Sequence, residues 1–103
     1  MTQFKDLDPV LHSQLRLAIV SLLVDVESAE FTWLLEKTGS TNGNLSIQLS
    51  KLKEKGYIEV KKSFRNNYPL TSCSITPEGI GAFNNYINAL QSYFKGDMDS
   101  GKK

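Results

Sequence analysis

The segment from Thr41 to Val60 constrains this chain more than any other stretch. On a helix advancing about 100° per residue, Leu45, Leu49 and Leu52 fall on one side. Gly43, Ser46, Ile47, Ser50, Lys51 and Glu54 fall roughly opposite, with Asn44 and Gln48 flanking them. The pattern predicts a helix over 41–55, opened by Ser40 or Thr41 and stopped by Gly56. An alternating run follows at once, with Ile58, Val60 and Phe64 sharing one face of a strand.

The flanking sequence supplies what such a helix must pack against. Asp8-Pro9 reads as a helix start, and Leu11, Leu15, Ala18, Ile19, Leu22 and Val26 then recur at helical spacing. Leu17, Val20, Leu23 and Val24 make that helix apolar nearly all round, so it should be buried nearly all round. Phe31 is placed on a brief strand. Thr32 is the expected cap of a second helix anchored by Trp33, with Gly39 as its stop. Two short helices joined through Gly39-Ser40 have the helix-turn-helix pattern.

Arg65 to Leu70 reads as a turn-rich tip, because Asn tolerates left-handed angles and Pro interrupts a sheet. Thr71 to Thr76 returns as a strand. Thr76-Pro77-Glu78 then opens a last helix with a cap, a first-turn proline and an acid at the positive end. Phe83, Tyr86, Ile87, Leu90, Tyr93 and Phe94 form a stripe along it. The expected class is mainly α with a small β-hairpin, a winged helix-turn-helix in the order α-β-α-α-β-β-α. One domain over 6–95 is expected, with 96–103 as a disordered polar tail.

With 103 residues, the chain has room for one domain and a modest core. The formal net charge of +1 hides a segregation. Residues 1–36 carry Lys5 and Arg16 against Asp6, Asp8, Asp25, Glu27, Glu30 and Glu36. Residues 51–65 carry Lys51, Lys53, Lys55, Lys61, Lys62 and Arg65 against Glu54 and Glu59. A local basic face attracts phosphates even on a near-neutral protein, although a solvated lysine face is the bland alternative. One Cys and one His offer no disulfide and no zinc ligand set. Cys73 is expected as a half-buried hairpin residue and His12 as a surface or packing residue. No cofactor is expected. Neither a Ser/His/Asp set, a phosphate loop nor a supported carboxylate pair is present, so the chain reads as a non-enzyme. The longest apolar run, 17–24, is too short to span a bilayer, and no signal segment opens the chain. The cytoplasm is the expected compartment.

The outer face of helix 41–55 suits a DNA major groove. Gly43 and Ser46 let a backbone approach, Asn44 and Gln48 suit adenine, Ser46 and Ser50 suit several bases, and Ile47 suits a thymine methyl. Thr41 and Asn42 sit where free N–H groups favour phosphate. Lys51, Lys61, Lys62 and Arg65 would neutralise phosphates. The wing, 61–70, would carry Arg65, Asn66 and Asn67 to the backbone or an adjacent minor groove.

These segments resemble the small MarR/ArsR-like winged-helix transcriptional regulators. The resemblance rests on Asp8-Pro9 through Ile19, Phe31-Thr32, Gly43 to Ser46, Leu49 with Leu52, Gly56 to Ile58, and Ile75 to Gly79. It covers about residues 6–94 and matches the single-domain branch with a dimerising final helix. It implies a homodimer on operator DNA, with contact from Asn44, Ser46, Ile47 and Gln48. Relatives often have His at the position of Gln48 and several arginines on the wing, where this chain has only Arg65. The metal-sensing sites of some relatives have no counterpart.

A dimer interface is expected from Leu17, Val20, Val24, Phe83, Tyr86, Ile87, Leu90, Tyr93 and Phe94. The final stripe has more apolar groups than one small core needs. A small-molecule effector at that interface is permitted but not indicated. The competing reading is a winged-helix protein–protein interaction module without sequence-specific DNA binding.

Overall fold

The structure, a computed structural model, describes residues 4–101. Seven elements follow in order: α1 (Gln14–Val24), β1 (Ala29–Glu30), α2 (Phe31–Thr38), α3 (Asn42–Lys55), β2 (Ile58–Arg65), β3 (Tyr68–Ile75) and α4 (Pro77–Gly101). This is the expected order. The three strands form one antiparallel sheet, β1-β3-β2. Ile58 faces Ile75 at the base of the hairpin and Arg65 faces Tyr68 at its tip, while β1 pairs only with Ser72 and Cys73.

The core gathers one face from each element. Leu11, Ile19, Val20 and Leu23 meet Leu34, then Leu45, Leu49 and Leu52, then Ile58, Cys73 and Tyr86. Burying each such side chain stabilises the fold by about 1.5–3 kcal/mol before entropy is counted. The leucine seam of α3 therefore fixes the rotation of that helix. Whatever lies opposite Leu45, Leu49 and Leu52 must face outward.

Local chemistry ends the helices where expected. The Thr41 hydroxyl accepts from the Asn44 N–H at 3.2 Å and caps α3. Gly56, at φ 87°, closes it: the Gly56 N–H reaches the Lys53 carbonyl and the Tyr57 N–H reaches that of Leu52. That is a Schellman stop, which favours glycine because its φ is positive. The Thr76 hydroxyl accepts from Gly79 N–H at 3.0 Å and donates to the Gly56 carbonyl at 2.7 Å. One side chain thus caps α4 and ties it to the end of α3.

Several expectations are corrected. Asp8-Pro9 begins a turn, not α1. Asp8 accepts from the Val10 N–H at 2.8 Å, and the helix waits for its Ser13 cap. Phe31 is the first helical residue of α2 rather than a strand residue, and Glu30, not Thr32, precedes it as the cap. Leu34, not Trp33, is the fully buried residue of α2; Trp33 is partly buried, with Lys37 over its ring. Cys73 is fully buried.

The wing tip is narrower than expected. Asn66 and Asn67, at φ 51° and 69°, make a two-residue turn, and Tyr68, Pro69 and Leu70 belong to β3. Pro69 is tolerated because the pairing of β3 with β1 ends at Ser72, leaving β3 an open flank there. Past the expected boundary at 95, α4 continues as helix to Gly101. A single glycine, Gly96, costs a helix only about 1 kcal/mol, and no proline follows it. Of the expected tail, 102–103 lie outside the described residues.

Candidate nucleic-acid interface

Helix α3 presents its outer face bare. Thr41, Asn42, Gly43, Asn44, Ser46, Ile47, Ser50 and Lys51 are all exposed. Ile47 is 54% exposed in the middle of this face. Gln48 differs from its neighbours: it is half-buried and turned toward α1.

Two clefts flank α3. On the wing side, Ser46, Ser50 and Lys53 of α3 come together with Lys62 and Thr71, above Phe31, Leu49 and Val60. On the other side, Lys51 and Lys55 come together with Arg16, Pro9, Val10 and Glu54. Cations therefore border the uncharged centre on both flanks. Lys53 and Lys55 also lie at the negative end of the helix dipole.

The strand period divides the basic residues of the wing. Lys62 shares a face with Val60, Phe64 and Thr71, toward α3. Lys61 and Arg65 share the opposite face. Arg65 is drawn back by an ion pair from its Nη2 to Glu30 Oε2. Asn66 occupies the turn itself. The tip instead presents Phe64 and Tyr68, 75% and 74% exposed.

Sequence reasoning missed Arg16, which sits on the first turn of α1. Its Nε donates to the Val10 carbonyl at 2.6 Å and its Nη1 to Gln48 Oε1 at 2.5 Å. Gln48 Nε2 in turn donates to Asn44 Oδ1 at 3.0 Å. The available signal was an arginine in the first turn of a mainly apolar helix, which does not name its partner.

The expected interface residues separate into two groups. Val20 is 0% exposed and Tyr86 is 4% exposed, so the single-chain core already consumes them. The Tyr86 hydroxyl also meets His12 Nδ1 at 3.1 Å. Leu17 and Val24 are partly buried against the core. On α4, Ile80, Phe83, Ile87, Leu90 and Phe94 recur at alternating spacings of three and four, which places them on one seam. Ile80 and Phe94 are 41% and 59% exposed on this seam. Tyr93 leaves it and stacks on Phe4, ring centroids 5.0 Å apart.

A helix-turn-helix whose second helix is bare on its outer face, flanked by a β-hairpin, defines a winged helix. The chain belongs to the winged helix DNA-binding domain family, whose sequence model matches residues 15–94. It is 42% identical over 78 residues to an uncharacterized protein of Methanocaldococcus jannaschii; the match covers 76% of this chain and 85% of that one. A transcriptional regulator homologue from Pyrococcus horikoshii OT3 superposes with a TM-score of 0.79 at 24% identity, covering 84% of this chain and 86% of the other. A putative transcriptional regulator from Thermoplasma acidophilum gives 0.67 at 26% identity, over 93% and 98%. The transcriptional repressor BigR from Xylella fastidiosa gives 0.54 at 29% identity, over 85% and 79%. Their descriptions as transcriptional regulators, or as a repressor, agree with the resemblance seen in the sequence. No helix among the described residues is long and apolar enough to cross a membrane.

Proposed function

We propose that this protein is a homodimeric transcriptional regulator that reads a near-palindromic operator through α3. The observation that carries this reading is the exposed outer face of α3, small and uncharged from Asn42 to Ser50, set by the inward Leu45, Leu49 and Leu52 and bordered by lysines. Asn44, Ser46, Ile47 and Ser50 would meet base edges in the major groove, and Thr41 and Asn42 a phosphate. Lys51, Lys53 and Lys62 would hold the backbone. The wing contributes through Lys62 and its tip, with Arg65 available only after release from Glu30.

The seam on α4 supports the dimer. The radius of gyration is 16.3 Å, against about 13 Å for a compact chain of this length. A helix with Ile80, Ile87, Leu90 and Phe94 in register fits a second copy of itself. Two-fold symmetry would set the reading helices about 34 Å apart, one turn of DNA.

Selection of binding sites from random duplexes tests the reading. Recovery of a motif with two inverted half-sites about one turn apart is expected. Recovery of no motif at moderate salt would overturn the sequence-specific reading. A second reading, a module that docks a protein, draws on the exposure of Phe64 and Tyr68 at the arginine-poor tip. It requires that α3 substitutions such as Ser46→Arg leave partner binding intact.

A further inference from the structure

The chain Val10–Arg16–Gln48–Asn44 runs from the N-terminal turn to the outer face of α3. We infer that Arg16 is a specificity-determining positioning residue, acting through Gln48 to hold the amide of Asn44 in the orientation that reads adenine. The inference rests on the operator-binding reading given above.

The polarity of the chain follows from chemistry at one end. A guanidinium carries five N–H donors and no acceptor. The end of Gln48 that meets Arg16 must therefore be its oxygen, at 2.5 Å. Its NH2 group is then directed one helical turn back, onto Asn44 at 3.0 Å. Only an oxygen can receive it, so Oδ1 of Asn44 faces Gln48 and Nδ2 faces away. Arg16 itself is held by the Val10 carbonyl at 2.6 Å, and Val10 by Asp8 at 2.8 Å. No carboxylate competes: Arg65–Glu30 is the ion pair found among the described residues.

Asn44 is exposed in the first turn of α3, the part of a recognition helix that meets base edges. Fixed this way, it offers the N–H groups of Nδ2 and the second lone pair of Oδ1. Adenine presents the complement, N7 as acceptor and N6–H2 as donor. An amide free to turn over also offers its donors to guanine or its oxygen to cytosine, so discrimination falls. Gln48 has both ends of its amide occupied and serves as the link, not the reader.

Selection from random duplexes, run in parallel on the wild type and three variants, tests this. Asn44→Ala identifies the position that Asn44 reads in each half-site. Arg16→Lys keeps the charge but cannot bond Val10 and Gln48 together with a planar fork. It should reduce an adenine preference of about tenfold at that position to near parity, and the salt dependence should persist. Gln48→Leu cuts the same chain from α3 and should relax the same position, so it serves if Arg16→Lys fails to fold. Retained adenine preference in either folded variant would overturn the inference while the operator reading stands. Uniform weakening across all sequences, with the base preference at that position unchanged, would also overturn it, making Arg16 a contact that carries no sequence information. A wild type that selects no motif overturns both.

Discussion

The Tyr57 hydroxyl donates a 2.5 Å hydrogen bond to Asp8 Oδ2, joining the base of the wing to the N-terminal turn. The residues are far apart in sequence, yet Tyr57 also accepts from Thr76 N–H at 3.0 Å through its carbonyl. One residue thus ties the N-terminal turn, the hairpin and the entry to α4. Burial first, and the Asp8 carboxylate second, push this hydroxyl up from 10.0 to about 12. The folded value lies above the unfolded one. The stabilising contribution is therefore complete below pH 10 and is lost between about pH 10 and 12. Tyr57→Phe should cost about 1–3 kcal/mol near neutral pH. Urea midpoints of wild type and variant should converge across that alkaline window. Parallel curves through pH 12 would contradict the coupling.

The ion pair between Arg65 and Glu30 is exposed, so it contributes at most about 1 kcal/mol to stability. Glu30→Gln should leave the thermal midpoint nearly unchanged. If the wing meets DNA, the same substitution frees a cation and should tighten binding, with a slightly steeper salt slope. Filter-binding titrations at several salt concentrations measure both. Unchanged affinity and slope would place Arg65 away from the DNA.

Two glycines should respond in opposite ways. A Cβ on Gly79 would lie 2.2 Å from the Tyr57 carbonyl oxygen, so Gly79→Ala should destabilise the fold by about 2 kcal/mol or more. A Cβ on Gly43 meets nothing within 4 Å, and alanine favours the helix. Gly43→Ala should therefore stabilise by up to about 1 kcal/mol. If a DNA backbone approaches there, the more stable variant should bind more weakly. Denaturation and binding measured on the same sample separate the two effects.

On the α4 seam, Phe94 and Ile80 are exposed and contribute little to the single-chain core. Phe94→Asp or Ile80→Asp should leave that core intact and convert a dimer to a monomer in sedimentation equilibrium. Binding to a two-half-site duplex should fall much further than binding to a single half-site. A wild type that sediments as a monomer at micromolar concentration would reject the seam.

Much of what rested on contiguous residues was legible without the fold. Leucines at helical spacing make the inner edge of α3 inward whatever they meet, and Gly39, Gly56 and Thr76 end or begin helices through bonds to residues within a turn. Asp8-Pro9 misled because the same pair that can start a helix can also make a turn, and Asp8 spends one oxygen on Val10 and the other on Tyr57. Tyr86 was assigned to a partner because periodicity counts apolar groups on a helix but cannot say which core they enter. The pairing of Arg65 was not legible, because its acidic partner lies on a different strand.

From the sequence by itself come the order of elements, the inward edge of α3, the basic region from Lys51 to Arg65 and the apolar stripe of α4. These depend on spacing and on hydrogen bonds that close within a few residues. The tertiary structure decided which of the stripe remains open, which face of the wing each cation takes, and that Arg16 reaches Asn44 through Gln48. Those outcomes depend on side chains from separate elements meeting in space. A donor-only guanidinium orients an amide on another helix only once the core has set the two helices side by side.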